Sequence, residues 1–167
     1  VQADVGGLRQ RYGIGKRVTV LALFGGGTSL KWSAGHVNTL ETVLNEGEIP
    51  HCWLLLGGVP REWFSLSTPV LIPGWLDSNA LSAHLQLTDI VLMPHAFGLS
   101  AKRGTLMAAL EHALPVVGTK GALTDSFWSA LAGVMMVDIA NAADFAAAVA
   151  VLCPDRRRQQ TLGLQNA

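Results

Sequence analysis

Two adjacent cations, Lys102 and Arg103, follow a glycine and a serine in the stretch "HAFGLSAKRGTLMAALEHALPVVGTKG", residues 95 to 121. A strand is expected to end near Met93 and Pro94, with His95 to Leu99 as a loop. Ser100 is placed to cap a helix whose first turn holds Lys102, Arg103, Gly104 and Thr105. Cations in a first turn oppose the helix dipole, at about 0.3 to 1 kcal/mol each. A bound diphosphate would reverse that sign, because free N–H groups, the positive helix end and both side chains would meet one anion. The alternative is that both side chains extend into solvent. A second stretch, "FGGGTSLK", carries Gly25, Gly26 and Gly27, which let the backbone approach a ligand closely, and Lys31 at the head of the next helix. It matches neither G-x-G-x-x-G nor a Walker loop, so a tight turn without a ligand fits it equally well.

The elements that must position these residues alternate along the whole chain. "VTVLALFGG" (18 to 26), "HCWLLLGG" (51 to 58), "PVLIPGW" (69 to 75), "DIVLMPHA" (89 to 96), "PVVGT" and "VMMVDI" read as strands buried on both faces. Between them lie helical patterns: "AGHVNTLETVLNEG" with Val37, Leu40, Val43 and Leu44 at helical spacing, "DSNALSAHLQLT" opened by an Asp or Ser cap, and "SAKRGTLMAALEHA". "TDSFWSALAG", "NAADFAAAVAVLC" capped by Asn141, and a terminal helix begun by Pro154 and Asp155 follow. This alternation predicts one α/β domain over residues 1 to 167, a Rossmann-like, doubly wound parallel sheet of about six strands with helices on both faces. Ligands of such sheets bind outside the carboxyl ends of the strands, where both loops fall.

Composition narrows the partners. Twelve basic and twelve acidic residues leave no net charge, so no global field gathers nucleic acid, and an anion must be bound locally. Every apolar run is broken before membrane-spanning length, and the start lacks a signal peptide's features, so a cytoplasmic chain without a transmembrane segment is expected. Cys52 and Cys153 sit in apolar settings and read as reduced buried thiols. The five histidines are scattered without ligand spacing, so no metal is expected.

"LTDIVLMPHAFGLSAKRGTLMAALEHALPVVGTKG" resembles, in order, the motifs of the donor-binding C-terminal domain of GT-B glycosyltransferases of the group-1 type. Those motifs are an Ala-Asp pair, a strand ending in Pro-Ser, a Glu-Gly loop with a helix, and Gly-x-Pro-Val-Val. "LRQRYGI", "FGGGTSLK" and "VDIANAADFAAAVAVLCPDRRRQQTL" resemble the family's entry segment, its Gly-Arg loop with lysine, and its tail helices, so the resemblance spans nearly the whole chain. The family's paired glutamates fall on Ser100 and Ala108, neither acidic, and its loop arginine falls on Gly26. "GLSAKR" is closer to related transferases whose loop reads Gly-x-Ser-x-Arg-Arg.

The resemblance implies a metal-independent hexosyltransferase of GT-B type whose donor is a nucleotide-diphosphate sugar. Gly25, Gly26, Gly27, Lys31, Lys102 and Arg103 would hold the diphosphate. His95, Gly98, Ser100 and Asp125 are candidate contacts to donor sugar or nucleotide, and Glu111 is a weaker candidate for the ribose. The acceptor-binding half that precedes this domain in the family is absent from the chain, so no turnover is expected from it alone. Any peripheral membrane contact would come through that half. Two other readings stay open: a non-catalytic binding or scaffold domain on the same fold, and half of a nucleotide-sugar epimerase. His36, His51, His84 and His112 are not expected to act directly. The five tryptophans are expected to serve core and interface packing, and "RRR" at 156 to 158 reads as a solvated helix face.

Overall fold

The computed structural model describes residues 4–25 and 28–166. After α1 (Val5–Arg11) the chain runs β1 (Thr19–Phe24), α2 (Ser29–Trp32), α3 (Ala34–Glu46), β2 (His51–Leu56), β3 (Val70–Leu71) and α4 (Ser78–Leu87). It continues β4 (Ile90–Met93), α5 (Gly104–Glu111), β5 (Val116–Lys120), β6 (Val134–Asp138), α6 (Ala142–Leu152) and α7 (Arg156–Leu164). The six strands form one sheet in the order β3-β2-β1-β4-β5-β6, and every pairing is parallel. The order reverses between β1 and β4, where Leu21 pairs with Ile90 and Leu23 with Leu92. This is the switch point at which a doubly wound sheet opens a crevice beyond its carboxyl edge.

The continuous apolar runs have their cause in two cores. Alternate residues of β1 point to opposite faces: Leu21 and Leu23 join Leu40 and Leu44 of α3 and Phe145 and Val149 of α6. Val20 and Ala22 join Leu85 of α4 and Leu106 and Ala109 of α5 on the other side. Cys52 and Cys153 are free and buried, and burial pushes their thiols up to about 11 and about 12.

Three helices start where the sequence places them, because their caps satisfy a first-turn N–H: Asp77 accepts from Ala80, Asn141 from Asp144 and Asp155 from Arg158. The third strand, expected over 69 to 75, shrinks to Val70–Leu71. Pro73 lacks an N–H for the ladder and Gly74 turns the chain at φ +78, so pairing stops there. "TDSFWSALAG" forms a 3-10 turn over Ser126–Ala130 instead of an α-helix. Two short helices, α1 and α2, were not marked by the sequence.

The reading of "RRR" as a solvated face holds for Arg157 and Arg158, which are exposed, and fails for Arg156. Arg156 pairs with the Asp89 carboxylate and donates to the Val18 carbonyl at 2.9 Å. Asp89 also accepts from the Val20 N–H at 2.7 Å, so it ties α7 to the start of β1. On the other face, buried Glu41 of α3 is a hub. It accepts from Trp53 Nε1 at 2.7 Å, from His51 Nε2 at 2.9 Å, and from the backbone N–H groups of Ser67 and Thr68 at 2.8 and 2.9 Å. His51 thus has a structural partner, and its Nδ1 faces the Ile49 carbonyl at 2.8 Å.

Candidate functional site

Beyond the carboxyl edge of the sheet the loops after β1, β2, β4 and β5 are joined in two pairs by backbone bonds. Leu99 donates its N–H to the Thr119 carbonyl at 2.9 Å, Leu123 to the Phe97 carbonyl at 2.8 Å, and Thr119 Oγ1 donates to the His95 carbonyl at 2.8 Å. Gly98 makes this closeness possible. Its φ is +89, and a Cβ there would collide with Thr124 Oγ1 and the backbone of Gly121. The loops after β1 and β2 also touch, since Gly25 donates to the Leu56 carbonyl at 3.2 Å. Gly26 and Gly27 lie outside the described residues.

The helix carrying the cation pair begins later than the sequence predicts. Ser100 does not cap it: Ser100 Oγ accepts from the Lys102 N–H and its carbonyl from the Arg103 N–H, both at 3.2 Å. The Asp125 carboxylate takes the Ala101 N–H at 2.7 Å. With those N–H groups committed to a separate turn, α5 starts at Gly104 and Arg103 stands at its N-cap without a side-chain cap bond. Lys102 and Arg103 therefore precede the first turn instead of lying within it. The N–H groups of Gly104 and Thr105 have no intrahelical acceptor.

The two cations differ in setting. Lys102 is exposed, whereas Arg103 is half-buried and its Nε is buried with no hydrogen-bond partner among the described residues. Burial lowers the Arg103 pKa. No ion pair forms with either cation among the described residues. His95 is only 2% exposed, beneath the loop surface. Burial first, and the Arg103 charge second, bring it down to about 4, so it is neutral at physiological pH. Lys31 is exposed in α2, one residue from Trp32, in a helical turn separate from α3. Glu111, at the end of α5, is solvent-exposed.

Two cavities flank this region. One, of about 270 Å³, is lined by Phe24, Gly57, Gly74, Trp75, Leu76 and Leu81 at the ends of β1 and β2 and after β3. The other, of about 440 Å³, is lined by Trp32, His36, Ala96, Phe97 and Ile139. Trp75 is 96% and Trp32 79% exposed. Of the tryptophans expected to serve core and interface packing, Trp53 and Trp128 are buried in the core, whereas Trp32 and Trp75 lie outside it. The one sequence signal for Trp75 is position, just beyond a strand and next to Gly74, whereas Trp32 ends the short helix α2. Among the described residues, no group of three or more His, Cys, Asp or Glu side chains is placed to hold a metal ion. Nor is any described helix long and apolar enough to cross a membrane.

No protein-family model matches the chain, and no curated protein matches it significantly in sequence. Solved structures do match in fold. The glycosyltransferase WaaG, involved in lipopolysaccharide biosynthesis, superposes with a TM-score of 0.77 at 13% identity, over 99% of this chain and 46% of that one. Sucrose-phosphate synthase from Thermosynechococcus elongatus gives 0.72 at 17% identity, over 98% and 43%. The C-terminal domain of a group 1 family glycosyl transferase (LpcC) from Francisella tularensis gives 0.68 at 14% identity, over 95% and 88%. The chain thus spans somewhat under half the length of the first two and most of the third. It has the Rossmann-like fold of the C-terminal domain of GT-B glycosyltransferases.

Proposed function

We propose that the chain is the donor-binding half of a glycosyltransferase and holds a nucleotide-diphosphate sugar without a metal ion. The observation that carries this reading is Arg103: a half-buried guanidinium with an unpartnered Nε, at the N-cap of α5 and beside two N–H groups of its first turn. Leaving such a cation unpaired is costly unless an anion completes it. Neutral His95 beneath it adds no opposing charge and no competing positive one. Lys102 supplies a second charge from solvent, and Gly25, at the end of β1, lies across the switch point from α5. As a glycosidic bond breaks, the departing diphosphate gathers negative charge, and prepositioned cations and N–H groups stabilise it without rearrangement.

The flanking cavities extend the reading. The glycine-lined cavity with the exposed Trp75 ring suits the flat face of a nucleobase. The cavity of Trp32 and Phe97 offers aromatic faces to a sugar ring. Asp125 acts on the donor indirectly, by holding the Ala101 turn that presents Lys102 and Arg103. Ser100, engaged in that turn, and Gly98, which admits the neighbouring loop, have the same supporting part. Transfer to an acceptor requires the other half of a GT-B fold, so the isolated chain binds donor and does not turn it over.

Titration calorimetry with UDP, GDP and ADP in the presence of EDTA tests the reading. At least one should bind, and Lys102→Ala and Arg103→Ala should each weaken it by about 1.5 to 3 kcal/mol, the range for a charge-assisted bond. No heat with any nucleotide, binding only with added magnesium, or unchanged affinity in both variants would refute it. Ser100 and Ala108, where the family carries glutamates, favour one competitor, a non-catalytic binding domain. Donor hydrolysis or transfer by the chain joined to an acceptor half separates the two.

A further inference from the structure

We propose that the opposite, amino-terminal edge of the sheet carries a second anion site, built for an organic phosphate with an apolar body. Seven of the twelve Lys and Arg residues fall within 9–17 and 156–158. The fold brings these two segments together: Arg9 Nη2 and Arg156 Nη2 both donate to the Val18 carbonyl, at 2.6 and 2.9 Å. Beside this junction lies a cavity of about 490 Å³ lined by Lys16, Arg17 and Arg156, with Ile49, Pro50 and Pro154 as apolar surface. Its volume is that of a small-molecule site.

Charge and geometry both select the ligand. Glu48 is the one carboxylate in the lining, and Asp89 stands behind Arg156 and Arg9. Four cations are thus set against two carboxylates in a chain whose net charge is zero, so the positive excess is local. The Arg156 guanidinium is held in place by Asp89 and the Val18 carbonyl, while Lys16 and Arg17 reach in from solvent. Arg156 keeps guanidinium N–H groups beyond the two given to Asp89 and Val18, and these with two adjustable cations suit a phosphate dianion, while the proline and isoleucine surface suits a carbon body. The donor reading plays no part here, because these residues border the amino ends of β1 and β2.

The test follows backbone amide resonances of the whole chain titrated with phenyl phosphate and with inorganic phosphate, with sodium chloride at equal ionic strength as control. Saturable shifts confined to Gly15–Thr19, Glu48–Ile49 and Cys153–Arg156 are expected, with phenyl phosphate the tighter ligand. The double variant Lys16→Ala, Arg17→Ala should weaken binding by about tenfold or more. Both side chains are exposed, so the fold should survive, and Glu48→Gln should strengthen binding by removing the opposing charge. Shifts that sodium chloride reproduces, or shifts confined to Ala101–Thr105, would overturn the proposal. So would sedimentation with phosphatidylglycerol vesicles that phenyl phosphate does not compete, since that would mark a lipid surface in place of a small-molecule cavity.

Discussion

Replacing Glu41 by Gln preserves shape and removes one acceptor from the most connected buried group in the protein. One carboxylate oxygen takes the N–H groups of Ser67 and Thr68, and the other takes Trp53 Nε1 and His51 Nε2. Turned toward Ser67 and Thr68, the new NH₂ faces two N–H donors that have lost their acceptor; turned the other way, it orphans the Trp53 N–H and replaces the charge-assisted bond to His51 by a neutral one. Two charge-assisted bonds at about 1.5 to 3 kcal/mol each give a loss of about 3 to 6 kcal/mol. For a domain of this size the melting temperature falls by on the order of 10 °C.

The charge adds a signature in pH. Burial by itself would raise the Glu41 pKa, but hydrogen bonds from His51, Trp53, Thr68 and Ser67 outweigh it and hold the carboxyl far below the usual carboxylate range. A depressed folded-state pKa contributes stability that is complete above the unfolded value, near 4.5, and drains away as the pH falls below it. The gap between wild type and Glu41→Gln should therefore be widest at neutral pH and narrow in acid. Urea unfolding followed by circular dichroism at neutral pH and below about pH 4 measures both quantities, with the denaturant slope checking that the unfolded state is unchanged. A gap under about 0.5 kcal/mol at neutral pH, or one that does not narrow in acid, would refute the assignment of Glu41 as the anchor of the segment leading into β3.

Gly98→Ala should cost about 2 to 4 kcal/mol in thermal unfolding, since it joins a φ of +89 to a collision with Thr124 and Gly121. Asp125→Ala should lower stability by about 1 to 2 kcal/mol and weaken nucleotide affinity about tenfold, because it releases the Ala101 turn; calorimetry beside a melting curve separates the two effects. The ring resonances of His95 should show no titration at neutral pH and a midpoint at about 4. Because its folded-state value lies below the unfolded 6.5, the neutral ring's contribution is whole above that pH and is lost as the pH falls toward the folded value.

Parts of the site were legible because they follow from local rules. Apolar runs ending in glycine are strands entering loops, and a parallel sheet places those loops on one edge, so His95, Gly98 and the Lys102–Arg103 pair follow β4 at the carboxyl edge of the sheet, as the sequence implies. The cap of α5 was not legible. Ser100 satisfies the local signal for a helix start, but Asp125, from the loop after β5, captures the Ala101 N–H and shifts the start to Gly104. That competitor is 24 residues away in sequence, beyond the reach of any capping rule.

What the amino-acid sequence determined by itself is the periodic part: strands buried on both faces, helices with one apolar stripe, and the caps Asp77, Asn141 and Asp155, each of which bonds an N–H three residues on. These depend on backbone geometry within a single turn or pleat. Only the tertiary structure decided which polar residues are buried together. Glu41 with His51 and Trp53, Asp89 with Arg156, and Arg103 above His95 are pairs assembled by packing, and a charge left in a helix looks solvated until the sheet supplies its partner. The exposed Trp75 makes the same point in reverse. An aromatic residue reads as core by composition, and only the turn forced by Pro73 and Gly74 carries it out to the edge of the crevice.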